Sequence, residues 1–267
     1  MFCWLKSEIK FLEIWESFSS LIPGILLITL FLVISKLISM TSFGNLHAMI
    51  FSLIQTPLQN IGGSFPAILF MALLAQLLWF FGIHGSMVVF SVMSPILGAM
   101  DAAQLTAFSS GQPLPNVLGM SFFTIFTFSG TAIALSILML FAKSKQFKTL
   151  GKLGIVPSIF GITEPLIFGT PLILNPIFAI PFILGNVISL VLSYVATIIG
   201  IIPQLNGIAA PAGTPIIIQG LIAGGWTIAL FQAFLLVIWI LLWLPFFKVA
   251  DAKNFKEENA ELTESSK

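Results

Sequence analysis

Glu164 is the one formal charge between Lys152 and Lys248. It stands in Gly161-Ile162-Thr163-Glu164-Pro165-Leu166-Ile167-Phe168-Gly169-Thr170-Pro171, and its surroundings are apolar enough to lie in a bilayer. An ionised side chain at membrane depth costs about 2.5–3.5 kcal/mol on insertion scales, so such residues face a cavity, a partner or a substrate. A carboxylate there can accept a hydrogen bond from a substrate hydroxyl, take its proton as a general base, or couple to a proton or sodium ion. The alternative is a structural carboxylate, satisfied by backbone N–H groups at a half-helix start. His84, in Gly82-Ile83-His84-Gly85, closes another apolar stretch. Its imidazole can donate to or accept from a hydroxyl, or simply cap the helix. Trp79, five residues earlier, offers a flat apolar platform with one N–H donor. The same ring type suits a membrane-interface belt, a reading that also covers Trp226, Trp239 and Trp243. Asn175 and Gln219 are neutral polar residues in apolar surroundings, placed either to bind a ligand or to satisfy loosened backbone. His47 reads as interfacial.

Those residues sit in a chain that cannot cover a water-facing surface. Of its 267 residues 58% are hydrophobic and 8% charged, against about 25% charged in a soluble domain. Long uninterrupted apolar stretches exclude a β-barrel, whose strands are short and alternating. The expected class is therefore all-α integral membrane. A net charge of +1 gives no argument for nucleic acid, and Cys3 with two histidines makes neither an intrachain disulfide nor a metal cluster. No phosphate-binding loop or Ser-His-Asp order appears, and no cofactor is expected. The 27 phenylalanines read as membrane packing.

Residues 1–20 carry Glu8, Glu13 and Glu16 where a signal peptide needs a basic region, and are expected as an interfacial amphipathic helix. A first span covers 18–40, and an amphipathic interfacial helix 44–60. Apolar helices follow at 66–81 and 86–100, the second interrupted by Pro95. A loop covers 101–116, and a full span 117–142. Lys143, Lys145, Lys148 and Lys152 then place that end in the cytoplasm. Residues 154–176 are apolar but broken by repeated Gly and Pro, which predicts a re-entrant hairpin, and 216–225 predicts a second. Spans cover 176–202 and 226–247, and 249–267 reads as a polar cytoplasmic tail. Two broken hairpins around a common centre are one way that transporters build a midplane binding site.

Three segments together resemble the membrane subunit, enzyme IIC, of bacterial sugar phosphotransferase systems, in the lactose/cellobiose/chitobiose group. They are Trp79-Phe80-Phe81-Gly82-Ile83-His84-Gly85, the run Gly161 through Gly169 around Glu164, and Leu174-Asn175-Pro176. The resemblance implies a multi-pass protein of the bacterial plasma membrane that binds a disaccharide in an occluded cavity. A separate cytoplasmic IIB subunit would phosphorylate the sugar from a phosphocysteine. It implies Glu164 as the catalytic, hydroxyl-orienting carboxylate, with His84, Trp79, Thr163 and Asn175 among the substrate contacts. The chain departs from the family pattern in three places. Thr163 stands where Asn-Glu-Pro is usual. Ala212 and Gly213 lie where members often carry a tryptophan. His84 comes early, because complete members have several more upstream spans that form a scaffold and dimer interface. Residues 1–60 are thus expected as the end of a scaffold, 61–248 as the sugar-binding transport domain, and a homodimer is left open. An ion-coupled secondary transporter using Glu164, and a truncated non-functional remnant, are the competing readings.

Overall fold

The computed structural model describes residues 2–50, 63–127, 130–170, 172–211 and 213–265. These residues are helical with no strand among them. By internal contacts the chain divides into two compact units, Met1–Asn60 and Ile61–Lys267. Among the described residues, five helical stretches are long and apolar enough to cross a membrane.

The first unit holds α1 (Phe2–Ser39) and the short α2 (Leu46–Ile50). The interfacial helix and the first span expected at 1–20 and 18–40 are one continuous helix with Pro23 inside it. Continuing through a proline loses one backbone hydrogen bond, whereas ending a helix in an apolar medium strands several, so continuity is cheaper. From Leu21 onward α1 presents bare apolar surface within its unit, Leu26 and Phe31 among it. Asn45 caps α2, its Oδ1 accepting from the Ala48 N–H at 2.7 Å. Of the amphipathic helix expected at 44–60, residues 51–62 lie outside the described residues, as does the His47 side chain.

In the second unit, α3 (Phe65–Phe80) folds back onto α4 (Gly85–Ser109) through a four-residue turn. Gly82 takes φ +83 there, a region that L side chains rarely adopt. The next helices are α5 (Met120–Thr127), α6 (Thr131–Leu140), α7 (Lys145–Ile159) and α8 (Glu164–Gly169). The last three are α9 (Ala179–Ile198), α10 (Ile216–Gly224) and α11 (Trp226–Ser265). Helix α9 packs on α3, α5 and α11. Helix α6 lies against both α7 and α11, while α7 pairs with α8 and α10 with α11.

Three expectations are corrected by what the helices touch. Helix α4 continues unbroken past Pro95 and through Asp101 and Gln104, residues read above as loop. Both are buried and bonded to distant chain. Asp101 Oδ2 accepts from the Ser121 N–H at 2.6 Å, and Oδ1 from the Ser121 hydroxyl at 2.8 Å. Gln104 donates to the carbonyls of Asn116 and Leu205 and accepts from the Asn116 N–H. The span expected at 117–142 stands as one apolar stretch, Met120–Leu140, within which α5 and α6 flank residues 128–129, which lie outside the described residues. Trp239 and Trp243, read above as interface belt, are fully buried, whereas Trp226 is 74% exposed. A Cβ at Gly130 or Gly185 would collide with the Trp239 ring, so the indole fills a slot that only glycines leave open. Lastly, α11 does not stop at Phe247 but runs through the expected tail to Ser265. One face of that extension grips the turn before α7. Asp251 accepts from the Lys143 and Ser144 N–H groups, and Glu258 from the Ser144 hydroxyl and the Lys145 and Gln146 N–H groups.

Replacing Asp101 with Ala leaves both Ser121 donors unmet at the start of α5. The expected loss is about 1–3 kcal/mol, seen as a lower midpoint in detergent-solubilised thermal unfolding, with Asp101→Asn losing less. Trp239→Ala empties the slot between Gly130 and Gly185, and the same assay should register about 3–5 kcal/mol. A melt unchanged by either substitution would refute these assignments.

Candidate functional site

Helix α3 carries Trp79 on its buried side, where the indole is 6% exposed and donates through Nε1 to Ser86 Oγ at 3.1 Å. This bond links the last turn of α3 to the first turn of α4. The two helices approach closely because Gly85 packs on the Ala75 backbone, and a Cβ at Gly85 would run into the Ala75 carbonyl. His84 is the N-cap of α4, its Nδ1 accepting from the Met87 N–H at 3.3 Å. With Nδ1 used as an acceptor, the neutral ring carries its proton on Nε2 and presents a donor there. The His84 ring lies 4.3 Å from the Trp79 ring at 47°, and its side chain is exposed.

Glu164 opens α8, immediately before Pro165 in the first turn. Its Oε2 accepts from the Thr163 N–H at 3.0 Å, and the residue is exposed. One carboxylate oxygen thus closes the helix start and the other faces outward. The half-buried Thr163 lines a cavity of about 60 Å³ together with Trp79. Trp79 and Thr163 are therefore brought to one wall system. His84 stands behind the indole, and Glu164 follows Thr163 in the chain without lining the cavity. Asn175 is elsewhere. Its Oδ1 accepts from the Ile177 N–H at 3.0 Å, and it lines a separate cavity of about 170 Å³ with Gln146, Thr170 and Lys253.

The small cavity also exposes polar groups that sequence reading did not single out. Gln76 reaches it from α3, Ser86 from α4, Thr127 from α5, Thr131 from α6 and Asn186 from α9. Asn186 is 8% exposed, and its Oδ1 has neither solvent contact nor a hydrogen-bond partner. Leaving a buried acceptor unpaired costs about 1–3 kcal/mol. The available signal was a single amide inside each of two apolar helices, the same signal that drew attention to Gln219. Phe90 borders this cavity and a wider one of about 350 Å³, lined also by Ser121, Thr124, Gly161, Pro211 and Gln219. Ala212, the first of the two residues replacing a tryptophan, lies outside the described residues, and Gly213 borders the wider cavity. Among the described residues no three His, Cys, Asp or Glu side chains gather to hold a metal.

The lining of the small cavity thus supplies one indole, amides and hydroxyls, with no charged side chain among them. Comparison with known proteins shows the family. A family model described as "Phosphotransferase system, EIIC" matches residues 11–186. The oligo-beta-mannoside-specific EIIC component of Bacillus subtilis (strain 168) is 33% identical over 94% of this chain and 58% of its own length. The cellobiose-specific EIIC component of Geobacillus stearothermophilus is 38% identical over 94% of this chain and 57% of its own. Among solved structures, the transporter ChbC, the IIC component of the N,N'-diacetylchitobiose-specific phosphotransferase system, superposes with a TM-score of 0.73. It is 34% identical, and the match covers 91% of this chain and 58% of that one. The chain thus spans little more than half the length of these relatives. It carries the indole, imidazole and carboxylate motifs from which the resemblance was drawn, on a helical membrane fold shared with a solved transporter, and it belongs to the EIIC family of phosphotransferase-system membrane components.

Proposed function

We propose that this chain forms the sugar-binding and translocating part of a phosphotransferase permease. Its substrate would be a β-linked disaccharide or related glycoside of the cellobiose, chitobiose or lactose type, delivered to a separate cytoplasmic IIB subunit. The observation that carries the proposal is the meeting of Trp79 and Thr163 on one cavity inside an apolar helix bundle, with His84 against that indole and Glu164 next to Thr163. The names of the relatives, which cite oligo-β-mannosides, cellobiose and diacetylchitobiose, supply the sugar class.

In this reading Trp79 meets the C–H face of a ring, His84 donates through Nε2, and Glu164 accepts from the hydroxyl that becomes phosphorylated. As that oxygen attacks the phosphorus of the donor phosphocysteine, the O–P bond forms and the S–P bond breaks. Glu164 takes the hydroxyl proton. Catalysis of this kind rests on positioning and charge, which a membrane-buried cradle supplies.

The chain segment from Lys145 to Thr170 acts as a re-entrant hairpin, and so does the segment around α10. Support comes from where the ends return. Thr170 and Asn175, after α8, share a cavity with Gln146 and Phe147 at the start of α7. Asn206, before α10, donates its backbone N–H to the Ala223 carbonyl and its side-chain amide to the Ile222 carbonyl, so chain entry and exit lie side by side. Residues 61–248 would form the transport domain, residues 1–60 the end of a scaffold, and residues 249–267 a cytoplasmic extension beside the lysine-rich turn.

Titration of the purified full chain with cellobiose, lactose and diacetylchitobiose should show saturable binding. Glu164→Gln should weaken it about tenfold or more and stop IIB-dependent phosphorylation. A well-folded wild type that binds none of these sugars overturns the proposal. Full phosphorylation by Glu164→Gln removes Glu164 from the chemistry, and uptake that follows an ion gradient without phosphorylated product selects the ion-coupled alternative. The hairpin is tested with single cysteines at Lys145 and Leu174 in a Cys3→Ser background. A membrane-impermeant maleimide should reach both from the cytoplasmic side. Labelling from opposite sides refutes the hairpin.

A further inference from the structure

The segment Leu174-Asn175-Pro176 was singled out in the sequence, yet Asn175 lies away from the cavity beside Trp79. What the segment carries instead is backbone strain. Among the described residues Leu174 is the one residue other than glycine with positive φ, at +55°. A bulky L side chain rarely takes that conformation. Here the side chain is 59% exposed, so burial does not offset the strain. Such outliers persist only where neighbouring contacts fix them, and they gather at functional sites.

Contacts on both sides fix this one. The Asn175 N–H donates to the Leu172 carbonyl at 3.3 Å, Asn175 Oδ1 accepts from the Ile177 N–H, and Pro176 disfavours a helical Asn175. Upstream, the Leu172 N–H donates to the Ile167 carbonyl at 3.2 Å, which ties the loop to α8. The Leu174 N–H itself donates to the Phe80 carbonyl at 3.0 Å, at the last residue of α3. A helix end leaves its last four carbonyls open. The α3–α4 turn meets three of them, because the Phe81 N–H reaches Leu77 and Leu78 and the Gly82 N–H reaches Trp79. Phe80 alone of the four takes its donor from a distant segment. Beside this bond, the Ile173 side chain lies over Gly82, where a Cβ would meet it at 3.6 Å.

One backbone bond therefore joins the two elements that bear the proposed sugar contacts. Trp79 immediately precedes its acceptor and His84 follows four residues later. Glu164 opens the helix to which the donor loop is tied. We infer that Leu174 is a positioning residue for the sugar site: its strained N–H clasps the α8 segment onto the turn bearing Trp79 and His84, and so keeps the Glu164 carboxylate in register with the indole and imidazole. The inference rests on the sugar-binding reading above, and it gives the Leu174-Asn175-Pro176 segment a geometric role in place of a ligand contact.

The test uses the full chain in detergent, with cellobiose, lactose and diacetylchitobiose as probes. Leu174→Pro deletes the N–H and cannot adopt a positive φ, so it opens the clasp. Leu174→Gly keeps the N–H and takes that φ without strain. Affinity for the tightest-binding sugar should fall about tenfold or more in Leu174→Pro and stay within about twofold in Leu174→Gly. In the Leu174→Pro background Glu164→Gln should weaken binding little further, because the carboxylate is already out of register, whereas Trp79→Ala should keep its full effect. A merely structural Leu174 would lower the thermal midpoint and leave Glu164→Gln with its wild-type effect, a result that overturns the inference. Unchanged affinity in a folded Leu174→Pro also overturns it and leaves the sugar reading intact. If Leu174→Pro does not fold, hydrogen exchange on the wild type decides. The Leu174 amide should be protected despite its exposed side chain, and sugar should raise protection of 80–84 and 172–175 together. An unprotected Leu174 amide, or sugar protection confined to 80–84, overturns the clasp. A folded wild type that binds none of the three sugars overturns both readings.

Discussion

Every interruption of a helix inside an apolar medium frees backbone N–H groups that no water can satisfy, and the organisation of this protein follows from how they are met. At the start of α4 the acceptor is His84 Nδ1. At the start of α5 it is the Asp101 carboxylate, reaching across from α4 to Ser121. Before α7, Ser144 Oγ accepts from the Phe147 N–H, while Asp251 and Glu258 arrive from the far end of the chain. At α8 the Glu164 side chain turns back to the Thr163 N–H. Several polar residues of this bundle are thus placed where helices break. His84 and Glu164 each spend one polar atom on the fold, and the proposed function assigns the other to the substrate.

Packing then decides which way the polar atoms point. Trp239 enters the slot left by Gly130 and Gly185, and thereby sets the separation of α11 from α6 and α9. Asn186 follows Gly185 in sequence, so the contact that seats the indole also fixes the rotation of α9 that turns Asn186 toward the cavity. Alanines at 72, 75 and 132 keep that space open. The aromatic wedge against glycine and the void beside alanine meet at the start of α6, where Gly130 and Ala132 stand two residues apart.

The family was legible in the sequence because the motifs around Glu164, His84 and Trp79 carry it, and those residues stand out because an expensive or unusual side chain in an apolar run has few cheap explanations. The class of the fold was legible from composition alone. The extent of α4 was not, since Asp101 and Gln104 look like loop residues until Ser121, Asn116 and Leu205 are seen beside them. Nor was the burial of Trp239 and Trp243, because hydropathy does not separate an indole facing headgroups from one facing glycine. Gln76 and Asn186 were missed for a related reason. One amide in an apolar helix carries no sign of whether its partner is another helix, water or a ligand, and only the third dimension supplies it.

Helix α11 has 40 residues, about 60 Å at 1.5 Å per residue, roughly twice the hydrocarbon thickness of a bilayer. Its outer turns hold the segment 143–146 through Asp251, Asn254 and Glu258, which lie on one face at intervals of three and four. That segment is the root of α7, the helix that carries the Glu164 turn. The projecting end of α11 is therefore a handle. A displacement of it is delivered through a set of short bonds to the base of the element bearing the carboxylate. Displacing the one without the other would mean breaking every bond of that grip together.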